Sequence, residues 1–147
     1  MSAMELPFTR VRPEGALPNQ QHPGDAGLDL RSAIDVTVKP GDRAMVPTGV
    51  AVAIPDGHAG LVLPRSGLAS RQGLTLANAP GLIDAGYRGE VICSVVNLDG
   101  EEAVEIHAGD RIAQLVVIAV PDVMPQWAEE LPQSVRGDGG FGSTGTS

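Results

Sequence analysis

Ile34-Asp35-Val36-Thr37-Val38-Lys39-Pro40-Gly41-Asp42 alternates apolar and polar residues and then breaks at a Pro-Gly-Asp turn. A period of two marks a strand with one buried face, and the breakers end it. The same grammar repeats along the chain. Val50 to Ile54 is closed by Pro55-Asp56-Gly57, and Leu61-Val62-Leu63 stops at Pro64. Val91 to Val96 stops at Asn97-Leu98-Asp99-Gly100, Ala103 to Ile106 at Gly109-Asp110, and Ile112 to Val120 at Pro121. Turn signals every ~8–12 residues predict an all-β sandwich or barrel. Two segments echo each other: Val38-Lys39-Pro40-Gly41-Asp42-Arg43 and Ile106-His107-Ala108-Gly109-Asp110-Arg111. Both read as strand, Gly-Asp-Arg turn, strand, an architectural repeat of two equivalent hairpins. Leu68 to Arg71 is the one helical candidate.

Composition agrees with this reading. A chain of 147 residues fits one domain. Glycine (19) and proline (12) make up about a fifth of it, and aromatic residues only 3%, which disfavours a helix bundle. Ile112 to Val120, interrupted by Gln114, is far short of the ~20 residues of a membrane span. The N-terminus carries Glu5 and Pro7 in place of a basic and then apolar run, so no signal peptide is visible. Cys93 is the lone cysteine, which excludes an internal disulfide and a cysteine-cluster metal site. These features predict a soluble cytoplasmic protein. The net charge of −8 argues against nucleic acid as a partner. Lys39 is the single lysine against nine arginines. Codon bias in a GC-rich genome accounts for that; so does a use of arginine as a planar fork for phosphate or carboxylate.

His22, His58 and His107 stand far apart beside turn residues, with no metal-ligand spacing. No HExxH, GxSxG or Cys–His arrangement appears, so covalent catalysis lacks an obvious nucleophile. Gly137-Asp138-Gly139-Gly140-Phe141-Gly142 matches GxGxxG in form, but a dinucleotide fingerprint needs a strand before it and a helix after it. What remains is a Gly-rich segment with Arg136 and Phe141, either a passive tail or a flexible ligand-binding one. Pro64-Arg65-Ser66-Gly67-Leu68 puts a guanidinium, a hydroxyl and backbone N–H groups at a strand end, an anion site or an ordinary serine cap. Asn78 to Glu90 is the richest stretch. Turns at Pro80-Gly81 and Ala85-Gly86 bracket Leu82-Ile83-Asp84, followed by Tyr87 and Arg88. A carboxylate in a partly apolar wall is suited to deprotonate a water; Asp84 as a turn cap is the plainer account.

Five segments together resemble the ordered motifs of the trimeric dUTPases. They are Ala26-Gly27-Leu28-Asp29-Leu30, Pro64-Arg65-Ser66-Gly67, Gly81-Leu82-Ile83-Asp84-Ala85-Gly86-Tyr87-Arg88-Gly89-Glu90, Gly109-Asp110-Arg111-Ile112-Ala113-Gln114-Leu115, and Arg136-Gly137 through Gly139-Gly140-Phe141-Gly142-Ser143-Thr144-Gly145. They fall in the family's order from residue 26 to residue 145.

The resemblance implies an all-β fold, a distorted jelly-roll β-barrel or sandwich, assembled as a homotrimer with three sites between subunits. It implies hydrolysis of dUTP to dUMP and pyrophosphate with Mg²⁺, which lowers dUTP and supplies dUMP for dTMP synthesis. Residues 1–135 would be the jelly-roll domain and residues 136–147 a flexible C-terminal lid. Asp84 would be the catalytic base for the water that attacks the α-phosphorus. Asp29 would hold Mg²⁺ through coordinated water. Arg65, Ser66, Gly67 and Gln114 would bind the phosphates. Asn78 and the backbone of Leu82, Ile83 and Asp84 would line the uracil and deoxyribose pocket, and Tyr87 would lie under the sugar and refuse a 2′-hydroxyl. Arg136 and Phe141 of a neighbouring subunit would clamp the γ-phosphate and cover the uracil. Arg88 and Arg111 would have structural duties. Ile92 departs from many bacterial relatives, which carry Lys or Met there. Two other readings compete: a dCTP deaminase, which uses a pocket glutamate, and a regulatory trimer with a degenerate site. Asp84 in its Ile-Asp-Ala-Gly-Tyr context opposes the first, and the presence of Asp84, Arg65 and Gln114 opposes the second.

Overall fold

The structure is a computed structural model that describes residues 3–140 and Gly142. The strands are β1 (Phe8–Arg10), β2 (Leu28–Arg31), β3 (Val36–Val38), β4 (Arg43–Val52) and β5 (His58–Leu63), followed by helix α1 (Ser66–Gln72). Then come β6 (Leu74–Leu76), β7 (Gly81–Ile83), β8 (Glu90–Asn97), β9 (Val104–Ile106) and β10 (Arg111–Ala119). All pairings are antiparallel. Two four-stranded sheets, β1-β4-β8-β6 and β2-β10-β5-β7, face each other, and β3-β9 closes one side as a two-stranded ladder. This is the all-β sandwich that the strand and turn pattern predicts, and the jelly roll that the resemblance implies.

Alternation fills the space between the sheets. Along β8, Val91, Cys93, Val95 and Asn97 point inward, and along β10 Ile112, Ala113 and Leu115 do so, meeting Leu30, Val46, Val52 and Ile54. Each such aliphatic side chain contributes ~1.5–3 kcal/mol by leaving water. Asn97 is a polar exception, fully buried and fully engaged. Its amide donates to the carbonyls of Val38 (3.0 Å) and Glu102 (2.8 Å), and its Oδ1 accepts from the Asp99 N–H (2.9 Å). It ties the end of β8 to the end of β3 and to the loop before β9.

The two Gly-Asp-Arg segments form equivalent turns but not the expected hairpins, because β3 pairs with β9 and not with β4, and β10 pairs with β2 and β5. Gly41 and Gly109 both have positive φ (78° and 94°), and the next residue donates back across each turn, Asp42 to Lys39 (3.0 Å) and Asp110 to His107 (2.9 Å). A left-handed third position favours glycine in such turns. Because β3 and β9 are antiparallel, the turns lie at opposite ends of one ladder. The helix at Leu68–Arg71 is real and longer, seven residues closed by Gly73. Four strands had no clear sequence signal: β1, β2, β6 and β7 are three or four residues long, too short for alternation to speak. β4 also begins earlier than the Val50 run, because Pro47 and Gly49 interrupt its pattern at an irregularity in the β4–β8 register. After β10 the chain leaves the sandwich, and residues 120–138 are all exposed. No helix among the described residues is long and apolar enough to cross a membrane.

Candidate functional site

β7 pairs with β5 through Gly81–Val62, Leu82–Leu61 and Ile83–Gly60, and its other edge is unpaired among the described residues. Its second row of backbone N–H and C=O groups is open to a ligand. Beside that edge lies a cleft of about 330 Å³ whose wall includes Asn78, Leu82, Ile83, Asp84 and Tyr87. Five residues singled out from sequence therefore meet in one place.

The local pattern explains their display. On the edge strand Gly81 and Ile83 face inward and are buried, so Leu82 and Asp84 face outward and are exposed. The Asp84 carboxylate is thus more open than the partly apolar wall that the sequence suggests. It caps no turn: its backbone carbonyl, not its carboxylate, accepts from the Tyr87 N–H (3.1 Å). A carboxylate that no donor among the described residues engages can take a proton from water. The Tyr87 ring lies against Gly89, and its hydroxyl donates to the Glu90 carbonyl at 2.8 Å. Arg88 is spent on its own turn, donating to the carbonyls of Ala85 (2.6 Å) and Tyr87 (3.0 Å).

Two further groups line the cleft without reactive roles. Glu90 is held by a bidentate fork, Arg12 Nε to Oε2 at 2.7 Å and Arg12 Nη2 to Oε1 at 3.2 Å, and its Oε2 also accepts from the Gly49 N–H (2.9 Å). The Arg12 hydrogen bond, with the Gly49 N–H, outweighs burial and holds the Glu90 carboxyl below its ordinary value. Burial pushes the Cys93 thiol up to about 12, so it stays neutral and is no nucleophile.

The remaining candidates form a second group on the same sheet. The β2–β10 register sets Asp29 opposite Gln114. Gln114 Nε2 donates to the Pro64 carbonyl at 3.0 Å, and Arg65 Nη1 reaches the Arg111 carbonyl at 3.3 Å. Ser66 and Gly67 open α1, whose N-cap is Arg65 with no side-chain cap; Ser66 is therefore the first helical residue and not the cap. Their N–H groups belong to the first turn, which has no intrahelical acceptors. Asp29 is 9% exposed, and its Oδ2 is buried with no hydrogen-bond partner, Arg111 Nη1 standing 3.6 Å away. A buried carboxylate oxygen without a donor suits a cation carried with its own waters. Among the described residues no group of three or more His, Cys, Asp or Glu side chains gathers into a cage.

The third group is the tail. Arg136 Nε donates to the Gly139 carbonyl; Arg136 is exposed and Gly139 half-buried, both beyond β10. Phe141 lies outside the described residues. Within one protomer the first two groups stand apart. Asp84 and Asp29 sit three strands apart and several residues out of level, which by strand spacing and rise puts them on the order of 20 Å apart. Nothing in the sequence points to Arg12, which lies 78 residues from Glu90 and reaches it only through the fold.

Residues 13–145 match the dUTPase family model. The deoxyuridine 5′-triphosphate nucleotidohydrolase of Streptomyces avermitilis is 58% identical over 136 residues, 92% of this chain and 78% of its own length. The protein of the same name from Cutibacterium acnes is 54% identical over 147 residues, 100% of this chain and 95% of its own. Among solved structures, the Staphylococcus bacteriophage 80alpha dUTPase with dUPNHPP has a TM-score of 0.89 at 31% identity, covering 98% of this chain and 100% of that one. A variant dUTPase from phage phi11 of S. aureus, described with a structural Mg(II) ion, has a TM-score of 0.80 at 28% identity over 86% of this chain and 98% of its own. With its jelly roll, its open β7 edge and a match over nearly its whole length, this chain belongs to the dUTPase family.

Proposed function

We propose that this protein is a dUTP diphosphatase, hydrolysing dUTP to dUMP and pyrophosphate in the cytoplasm. The observation that carries the proposal is the cleft beside β7, where an open backbone edge, Asn78, Tyr87 and an unengaged Asp84 share one wall. Uracil meets the Asn78 amide and the backbone of Leu82, Ile83 and Asp84, and Tyr87 fills the space a 2′-hydroxyl would need. Asp84 orients a water and takes its proton as the water attacks the α-phosphorus. Positioning and charge neutralisation supply most of the acceleration in such a displacement. Arg65, Ser66 and Gly67 hold the phosphates, and Gln114 adds the amide hydrogen that Pro64 does not use. Asp29 is the residue that would hold Mg²⁺ through water, by way of an Oδ2 that lacks a hydrogen-bond partner and has the Arg111 guanidinium 3.6 Å away. Bound there, the cation would neutralise charge on the triphosphate oxygens.

The reaction needs Asp84 and Asp29 on one substrate, and the ~20 Å between them within a protomer favours a site shared between copies. We therefore propose a homotrimer in which Asp84 of one chain faces Asp29, Arg65 and Gln114 of the next. The segment after β10 supports this, since it carries Val123, Met124, Trp127 and Leu131 fully or largely exposed, with Trp127 at 104%. An apolar arm of that kind is stabilised by a second chain to lie on. Residues 1–135 form the jelly-roll unit, and residues 136–147 supply Arg136 and Phe141 to a neighbour as a lid.

The glutamate on the cleft wall speaks against deamination of dCTP. Both Glu90 oxygens are taken by Arg12 and Gly49, so it is not available to activate a water at the base. Pyrophosphate release should be fast with dUTP and slower by at least two orders of magnitude with dCTP, whose base carries the wrong hydrogen-bond pattern, and with UTP, whose 2′-hydroxyl meets Tyr87. The 5-methyl of dTTP is a steric matter, worth only ~1–3 kcal/mol unless the wall is rigid. Comparable kcat/KM for UTP and dUTP would remove Tyr87 from its role. Ammonia release from dCTP would overturn the assignment as a whole.

A further inference from the structure

The start of β8 is held by a knot that the reaction chemistry does not require. Arg12 lies in the loop after β1, and its own backbone N–H, with that of Val11, points to the Gly49 carbonyl at 3.3 Å and 2.8 Å. Gly49 has φ +74°, and Gly15 packs directly on it: a Cβ on Gly15 would come within 2.2 Å of the Gly49 oxygen, and one on Gly49 within 2.6 Å of the Gly15 Cα. The loop is pinned further by Arg10 Nε to the Gly15 carbonyl (2.9 Å) and by the Gly15 N–H to the Arg12 carbonyl (2.9 Å). From this platform the Arg12 fork grips both oxygens of Glu90, and the Gly49 N–H takes a second bond to Oε2. The knot sits beside the slip in the β4–β8 register between Pro47 and Ala51, where the ladder holds the start of β8 through the single Ala51–Glu90 pair and the Thr48 hydroxyl bonds the Val91 carbonyl (2.6 Å).

What Glu90 carries is the point of interest. Its backbone carbonyl is the acceptor for the Tyr87 hydroxyl at 2.8 Å, and both residues line the cleft. Position passes along one chain of contacts: loop, Arg12, Glu90, Tyr87. Arg12 itself does not line the cleft. A guanidinium fork fixes a carboxylate in two directions at once, which a lysine or a neutral amide cannot do.

Resting on the assignment of Tyr87 to the sugar wall, we infer that Arg12 is a positioning residue for sugar discrimination, acting through Glu90 on the tilt of the Tyr87 ring. The Arg12 side chain touches no substrate. Releasing it loosens the ring's acceptor, opens the space beneath C2′ and lets a ribonucleotide in.

The test compares kcat and KM for dUTP and UTP in the wild type, Arg12→Ala, Arg12→Lys, Glu90→Gln and the double variant Arg12→Ala/Glu90→Gln. In Arg12→Ala the dUTP-over-UTP ratio of kcat/KM should fall about tenfold, mostly through a lower KM for UTP, with kcat for dUTP within about twofold of wild type. Arg12→Lys should recover only part of the ratio, and the double variant should lose no more than the worse single, because the residues act as one unit. A merely structural role predicts something different: a lower melting temperature and equal losses for both nucleotides, and that result would overturn the inference. So would an undiminished ratio in Arg12→Ala, or in Arg12→Lys should the alanine variant fail to fold. A wild type that does not discriminate the two sugars would instead sink the Tyr87 assignment beneath it.

Discussion

Asp84→Asn should bind dUTP nearly as well as the wild type and hydrolyse it ~10²–10⁴ times more slowly, the usual loss with a general base. Asparagine keeps the shape of the side chain and removes its ability to take a proton. The exposed setting of Asp84 makes the substitution clean, since no donor among the described residues is orphaned by it and the edge strand β7 does not depend on that carboxylate. Single-turnover cleavage measured beside equilibrium binding of a non-hydrolysable analogue separates the two effects. Turnover above half the wild-type value would mean that another group accepts the proton. Loss of binding in parallel with loss of turnover would mean that Asp84 serves the ground state, not the transition state.

Truncation after Val135 should leave the fold intact and reduce turnover severely. Residues 120–138 are exposed, and the core cluster draws on none of them, so little of the protomer's stability is at stake. The loss is catalytic. Fixing each residue of a Gly-rich segment costs ~1–2 kcal/mol of backbone entropy, which no core contact offsets here. In the proposed site a bound triphosphate would supply a charged partner for Arg136, and stacking of Phe141 on uracil would contribute ~1–3 kcal/mol more. A lid closed in this way excludes bulk water before cleavage. Phe141→Ala should do part of the same damage. Oligomeric mass, melting temperature and dUTP turnover of the truncated chain, measured together, decide it. A truncated protein of unchanged mass and wild-type rate would make the segment passive.

How much of this was legible in the sequence follows from the range of each interaction. The long strands β8 and β10 announce themselves because alternation over eight or nine residues is a strong local signal. The three-residue strands do not, and β7, the strand that builds the cleft, reads instead as a pair of turns around Leu82-Ile83-Asp84. Asn78, Asp84 and Tyr87, which the resemblance implies as site residues, share one cleft wall because one short stretch of chain carries them. It could not show that Asp84 is exposed, since that depends on which face of an edge strand it takes. Arg12 was out of reach altogether: only the approach of the Gly15 loop to the β4 irregularity brings it to Glu90.

The separation of Asp84 from Asp29 has a consequence for mixtures of chains. In the proposed trimer each site draws one carboxylate from each of two neighbours, so a chain lacking Asp84 still lends its Asp29, and a chain lacking Asp29 still lends its Asp84. Unfolding and refolding two inactive proteins together, Asp84→Asn with Asp29→Asn, should therefore regenerate intact sites. Every mixed ring contains one correct junction, and random assortment of three subunits gives about a quarter of the wild-type activity from two dead parents. Were each protomer to hold its own complete site, the mixture would stay as inactive as its parts. In the proposed trimer, genetic complementation between defective copies follows from the spacing of strands on one sheet.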